Sequence, residues 1–268
     1  MPFHSPKSTK NISANNRQIF ILLSLLGLAI AFFIWLLILL FNNVIYLIPP
    51  SVEKQLGRLI VPVFAKQAQP SITQTTLNQL LDRLEANLPE KKSVVRDYQV
   101  LYIPQNTINA IAIPGEKIII YQGLLKQVES ENELMMIMGH ELGHFAHRDH
   151  LRGLGNALVW QIVIGSIFGD LGRVQGILQS VVNAQYSQIQ EIQADQFGLQ
   201  LLYKTYNHVA GATDFFIKIN KKMNQNIDFL SSHPAPQKRI QKLENLITQS
   251  NYPLGEKTPL PSSLINPN

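Results

Sequence analysis

Hydrophobic positions are arranged in two different ways along the 268 residues. From Ile19 to Phe41 they are continuous, with 21 of 23 positions hydrophobic and only Ser24 and Gly27 interrupting. As a helix this run spans about 35 Å, enough to cross a hydrocarbon core of about 30 Å with some tilt. It exceeds the roughly 7–15 apolar residues of a cleaved signal peptide, and bulky residues follow it instead of a small-residue cleavage site. The pattern therefore predicts a retained signal anchor; a buried soluble helix would show a polar face.

After residue 42 the pattern becomes periodic. Residues 42–70, with Pro49, Pro50, Pro62 and Pro70, read as a juxtamembrane connector. From Ser71, the spacing of Leu77, Leu80, Leu81, Leu84 and Leu88 predicts a helix with one apolar face. Two β-branched runs, around Val94 to Ile103 and around Ala110 to Tyr121, predict strands, the second ending before Gly123. Ser130 and Glu133 have capping-box spacing and predict the start of a long helix continued by Leu134, Ile137, Met138 and Leu142.

Residues 153–182 contain six of the 15 glycines among apolar residues. Their longest apolar piece, Ile162 to Phe168, is too short to cross a bilayer, which favours a buried helical hairpin over a membrane-dipping lid. A helix running through about Leu202 follows, then helices around 209–225 and 235–249. The tail from Asn251 has four prolines in 18 residues and is expected to be irregular or mobile. The expected organisation is a cytoplasmic tail (1–18), the anchor (19–41), the connector (42–70), one catalytic domain (71–250) and a Pro-rich tail (251–268).

Composition fits this division. The chain is 46% hydrophobic; without the anchor the figure falls to about 42%, ordinary for a soluble domain. Only 15% of residues are charged, but with this hydrophobic content the chain is not a disordered one. Of the net +5, three charges are Lys7, Lys10 and Arg17, which precede the apolar run without any acid. By the positive-inside rule they place the amino terminus in the cytoplasm and the large domain across the membrane, in the periplasm of a bacterium. The remaining charge is too balanced for a nucleic-acid surface. With no cysteine, disulfide scaffolds, thiol nucleophiles and Cys-ligated zinc are excluded.

The chemistry is concentrated in His140-Glu141-Leu-Gly-His144. On a helix, residues four apart lie about 40° apart in projection, so both imidazoles can grip one Zn²⁺. Glu141 is offset and would reach the attacking water as general base. With seven His and eleven Glu in the chain, chance predicts roughly 0.007 such motifs, a strong signal that a helical setting strengthens.

Two residues compete as third ligand. His150 stands six residues after His144, where metzincins place their third histidine, but His147 occupies the position at which those enzymes have a helix-breaking glycine. Glu191 is favoured because Asp195 follows at i+4, where it can fix the tautomer of a ligand histidine. A His₂Glu set leaves the fourth coordination position open.

The motifs HELGH, EIQAD (Glu191 to Asp195) and SSHPAPQKRI (Ser231 to Ile240), in this order, resemble the HtpX and BepA type of gluzincin metallopeptidase, a family that also includes the CAAX prenyl proteases. The resemblance covers roughly residues 71–249. It implies one Zn²⁺ per chain held by His140, His144 and Glu191, with Glu141 as general base and Asp195 as a catalytic aspartate. It implies that residues 109–121 form an active-site edge strand on which an extended substrate pairs by β-augmentation. It also places His233, followed by Pro234, and Arg239 near the zinc. Either side chain can stabilise an oxyanion, and His233 can instead fill the open zinc position at rest.

This chain departs from the family in Arg148-Asp149-His150, where an aspartate separates the expected arginine–histidine pair, and in having one convincing span where HtpX has more. The expected fold is α+β, a mainly helical zincin domain with a small β-sheet behind one transmembrane helix. The expected protein is a single-pass inner-membrane zinc endopeptidase acting on unfolded or misassembled envelope proteins, with lipid as its other partner and no nucleic acid. The alternative is a chaperone-like or autoinhibited binding protein whose zinc site is plugged.

Overall fold

The computed structural model describes residues 16–44, 49–89, 96–154, 176, 179–181, 183–222, 227–265 and 267. The hairpin expected at 153–182 falls largely outside them. Among the described residues, helix α1 (Asn16–Val44) alone is long and apolar enough to cross a membrane, and none of its span Gln18–Leu37 is buried in the protein.

Residues expected as a connector form a second helix, α2 (Pro50–Ala65), with Pro at its first turn, where a missing N–H costs nothing. The α2 helix belongs to the fold. Its Ile60 and Phe64 are buried against one face of a three-stranded sheet made of β1 (Gln99–Ile103), β2 (Ala110–Ile113) and β3 (Lys117–Tyr121). The opposite face, carrying Val100, Tyr102, Ala110, Ala112, Ile118 and Ile120, joins the main core with α3 (Ile72–Glu85). Both faces are covered, which is why the strands read as apolar runs without alternation.

The sheet order is β1-β3-β2, with β1 parallel and β2 antiparallel to β3. The single run expected over 110–121 is therefore a hairpin. It turns at Gly115 and Glu116, both in the left-handed region at φ 93° and 60°. This corrects the expected edge strand: β3 has a neighbour on each side, so within this run only β2 lies at an edge of the sheet.

Two longer helices hold the core together. Ser130 caps α5 (Glu131–Ala146), accepting the Glu133 N–H at 3.2 Å, while the Glu133 carboxylate accepts the Glu129 N–H at 2.8 Å. The expected capping box is thus half formed. A complete one, Ser187 with Gln190, opens α6 (Gln188–Tyr206), which ends on Asn207 at φ 59°. The two helices cross through small residues: a Cβ on Gly143 would lie 2.7 Å from Ala194 Cα, and one on Gly198 would lie 2.8 Å from the His140 nitrogen. No side chain larger than hydrogen fits at either position.

Short helices α4 (Gln122–Leu125), α7 (Asp214–Lys221) and α8 (Asp228–Ser232) and the longer α9 (Pro236–Gln249) complete the domain, with α9 packed on α6 and α7. The carboxy-terminal tail is irregular, one of the two outcomes expected of it, and hydrogen bonds tie it to the domain. It supplies backbone partners to the start of α5: Glu131 donates to Thr258 O at 3.0 Å and Thr258 donates to Asn132 Oδ1 at 2.6 Å. Its last turn, α10 (Ser262–Ile265), buries Leu264, and Thr73 of α3 donates to Ser263 O at 3.1 Å. The Glu131 N–H, one of the donors left over at the start of α5, thus finds its acceptor in the tail.

The α2 helix is also clasped by charge. Buried Glu53 meets His150 Nε2 at 3.0 Å, Arg148 at 3.4 Å and Arg96 at 3.5 Å. Burial raises the Glu53 pKa, but the hydrogen bond to His150 and the charges of His150, Arg96 and Arg148 more than reverse this and bring it down to about 2.

Two outcomes test these packing features. Gly143→Ala is expected to lower stability by about 1–3 kcal/mol through overpacking of the α5–α6 crossing, seen as a lower melting temperature in detergent; an unchanged melting temperature would contradict the crossing geometry. Glu53→Gln is expected to cost about 3 kcal/mol near neutrality. Because the folded pKa lies below the ordinary 4.5, the Glu53 contribution is complete above that pH and fades as pH falls toward 2, so the wild-type and variant curves should converge there.

Candidate metal centre

Four elements deliver the cluster. His140, Glu141 and His144 lie on α5, Glu191 and Asp195 on the first two turns of α6, His233 follows α8, and Arg239 sits in the first turn of α9. All seven are at most 2% exposed. One ligand atom each from His140, His144, Glu191 and His233 lie within 4.8 Å of one another, close enough to hold one metal ion.

The two helical histidines are oriented from behind by carboxylates. His140 Nδ1 is 2.9 Å from Asp195 Oδ1, and His144 Nδ1 is 3.1 Å from Asp149 Oδ2. With each Nδ1–H directed at an acid, each Nε2 is left with a lone pair. These two Nε2 atoms face one another at 3.1 Å, and Glu191 oxygens lie 3.4 Å from His144 Nε2 and 3.7 Å from His140 Nε2. Two imidazole lone pairs and a carboxylate converging on one point make a donor set that suits Zn²⁺.

The electrostatics act differently on the two histidines. Burial lowers the pKa of His140, helped by Arg239 and His144, whereas at His144 the lowering by burial is overcome by Asp149, Glu191 and Glu141, which push it up to about 9. Burial alone would raise Glu191 and Asp195, yet Arg239 holds both below the usual carboxylate range. Arg239 grips Asp195 at 2.7 and 2.8 Å and Glu191 at 2.5 Å, and its guanidinium lies over the Phe216 ring at 4.4 Å. It thus neutralises the two acids on α6 without occupying the space between the histidines.

His233 lies in the ligand shell. Its Nδ1 is 3.0 Å from Glu191 Oε1 and 3.2 Å from His140 Nε2, and its ring stacks on Phe229 at 4.4 Å. Neither oxygen of Glu141 has a hydrogen-bond partner among the described residues; His233 Nε2 lies 3.6 Å from Glu141 Oε1. A buried carboxylate with free lone pairs beside a ligand cluster is available to take a proton.

His150 does not join the cluster, which removes the metzincin-like alternative. Its Nε2 is engaged by Glu53 of α2, and its ring packs on Phe145. The chain turns after α5 through Arg148 at φ 60°, so the residue brought back to His144 is Asp149. His147 donates to the Gly143 carbonyl at 2.8 Å and stands apart from the ligands.

Three residues of the site escaped the sequence analysis. Asp149 is fully buried and also accepts Gln190 Nε2 at 2.8 Å, while Gln190 Oε1 accepts the Ser187 N–H, so the capping box of α6 is wired to His144. Tyr186 stacks on His144 at 3.8 Å; burial and the surrounding acids raise its pKa well above the usual value and keep it a neutral phenol. The inserted aspartate in RDH was the only visible signal for Asp149. For Tyr186 and Gln190 the sequence offered none.

Comparison with known proteins gives a consistent result. The profile of Peptidase family M48 matches residues 67–247. The chain is 29% identical over 163 residues to the mitochondrial metalloendopeptidase OMA1 of Arabidopsis thaliana, covering 58% of this chain and 32% of that protein. It is 26% identical over 199 residues to the beta-barrel assembly-enhancing protease of Yersinia pestis, covering 67% and 40%. It is 31% identical over 147 residues to the metalloprotease LoiP of Escherichia coli K12, covering 52% and 58%. The chain thus spans between about a third and three fifths of the length of these relatives.

If Asp149 orients His144, Asp149→Ala should weaken zinc binding at least about tenfold in chelator competition, with Asp149→Asn retaining part of the affinity. Equal affinity in all three proteins would remove Asp149 from the site.

Proposed function

We propose that this chain, which belongs to peptidase family M48, is a membrane-anchored zinc endopeptidase that hydrolyses peptide bonds with the help of Glu141. The observation that carries this reading is the convergence of His140, His144 and Glu191 beside the buried Glu141 carboxylate, whose oxygens have no hydrogen-bond partner among the described residues. A bound Zn²⁺ supplies Lewis acidity, polarising the scissile carbonyl and lowering the pKa of water.

The rest falls to the chain's own residues. Glu141 takes the proton of the attacking water and returns it to the departing amine. Asp195 and Asp149 fix the tautomers and ring planes of His140 and His144. Arg239 keeps Glu191 and Asp195 ionised through its contacts with both, and its guanidinium would be a positive charge available to a developing oxyanion. No covalent intermediate is needed.

An extended substrate would pair with β2. That strand begins beside the His233 loop, since Phe229 donates to Ile108 O at 3.0 Å and Ser232 Oγ lies 3.5 Å from Asn109 Oδ1. Such pairing selects segments free of their own secondary structure, which suits unfolded or misassembled proteins. The exposed apolar surface of α1 supports a bilayer anchor, and Lys7, Lys10 and Arg17 support a cytoplasmic amino terminus with the domain in the periplasm. Protein quality control in the cell envelope is the role this combination fits.

A second reading concerns regulation. Because His233 lies within the ligand shell and the cluster is closed to solvent, His233 can act as a fourth ligand that holds the enzyme at rest.

Both readings are open to measurement in detergent. Glu141→Gln should keep stoichiometric zinc and lose casein cleavage by at least about a hundredfold; zinc-free wild-type protein, or unchanged cleavage by the variant, would refute the assignment. His233→Ala should cleave casein faster than wild type if the histidine is a plug, whereas slower cleavage would assign it to oxyanion stabilisation.

A further inference from the structure

The α2 helix has two dissimilar faces. The inner one buries Glu53, Ile60 and Phe64. Beside it Val52, Leu59 and Val63 are 39%, 59% and 37% exposed, and at 100° per residue they fall within about 40° of one another, an apolar stripe without a partner among the described residues. By the same rotation Lys66 lies about 40° from the centre of the stripe, Arg58 about 120° and Lys54 about 160°; all three are exposed, and none forms an ion pair among the described residues. The one acid of the helix, Glu53, points inward. An exposed apolar stripe on a helix whose exposed charges are all cations fits a helix lying in a membrane interface.

Chain length fixes where that face can be. Five residues, 45–49, separate the end of α1 from the start of α2, a reach of at most about 18 Å. If α1 spans a bilayer, α2 starts at its surface. Three side chains are also far too few to build the roughly 800 Å² per partner of a stable protein interface.

We propose that α2 is an interfacial helix, its Val52, Leu59 and Val63 stripe seated at the headgroup boundary of an anionic bilayer, with Lys66 at the edge of the stripe within reach of lipid phosphates and Arg58 and Lys54 adding to the attraction from farther round the helix. The proposal rests on α1 being the anchor. Its consequence is orientation. The inner face of α2 meets the β2–β3 turn, where a Cβ on Gly57 would come within 2.5 Å of Gly115 Cα, and holds His150 and Arg148 at the end of the histidine helix. Seating α2 therefore sets the attitude of the sheet and of α5 toward the membrane.

Because the chain contains no cysteine, single-cysteine variants of the full-length protein can be labelled cleanly with an environment-sensitive fluorophore. Leu59→Cys, Val63→Cys, Leu28→Cys in the anchor and Glu244→Cys on α9 would be compared in nanodiscs containing phosphatidylglycerol, using doxyl-lipid and iodide quenching. At positions 59 and 63 the expected result is blue-shifted emission, quenching by doxyl lipid and loss of iodide quenching relative to position 244. The shift should diminish in purely zwitterionic discs and when Lys54, Arg58 and Lys66 are replaced by Glu.

Iodide quenching at 59 and 63 equal to that at 244, with position 28 reached by doxyl lipid, would overturn the proposal while leaving the anchor intact. Protection from both quenchers would mean that protein covers the stripe and would equally overturn it. Iodide access at position 28 would refute the anchor itself, and the interfacial helix with it.

Discussion

The close crossing of α5 and α6 is the constraint on which the rest of the structure depends. Two helices normally pack with axes 8–10 Å apart, set by the side chains between them. Here Gly139, Gly143, Ala194 and Gly198 bring backbone against backbone. Only at that separation do His140 and His144 from one helix and Glu191 from the other converge within a single coordination sphere. The same contact brings Asp195 to 2.9 Å from His140, so ligand and orienting residue are set by one geometry.

Around that crossing, charge is handled by pairing. Glu141, Glu191, Asp195 and Asp149 are all buried, a costly arrangement unless each is compensated. Arg239 compensates the two acids of α6, and His144 and Gln190 compensate Asp149. Glu141 is left over. Its desolvation is repaid only when a cation occupies the cluster and a proton donor comes within reach, so the least satisfied group of the site is also the one to which the chemistry is assigned.

Much of this was legible in the sequence where the information is local. The histidines and Glu141 sit four and one residues apart on a capped helix, and Glu191 with Asp195 repeats that spacing, so periodicity alone placed them on common faces. What depends on chain reversal was not legible. Asp149 reaches His144 because Arg148 adopts a left-handed conformation that its identity does not advertise. The run 110–121 hides a hairpin because both halves are apolar on both faces. The α2 helix was masked by four prolines, three of which only open or follow it while Pro62 is tolerated within it. Proline marked the tail as irregular, but not that Thr258 and Ser263 bond back to α5 and α3.

The glycine crossing also says something about how freely the chain between its two helices can change. The ligands meet where the helices touch, regardless of the path taken from the end of α5 to the start of α6. Closing a longer path costs little, about 0.6 kcal/mol for each doubling of its length. Lengthening that path is therefore a small change beside the addition of one methyl group at the crossing, where no room for it exists.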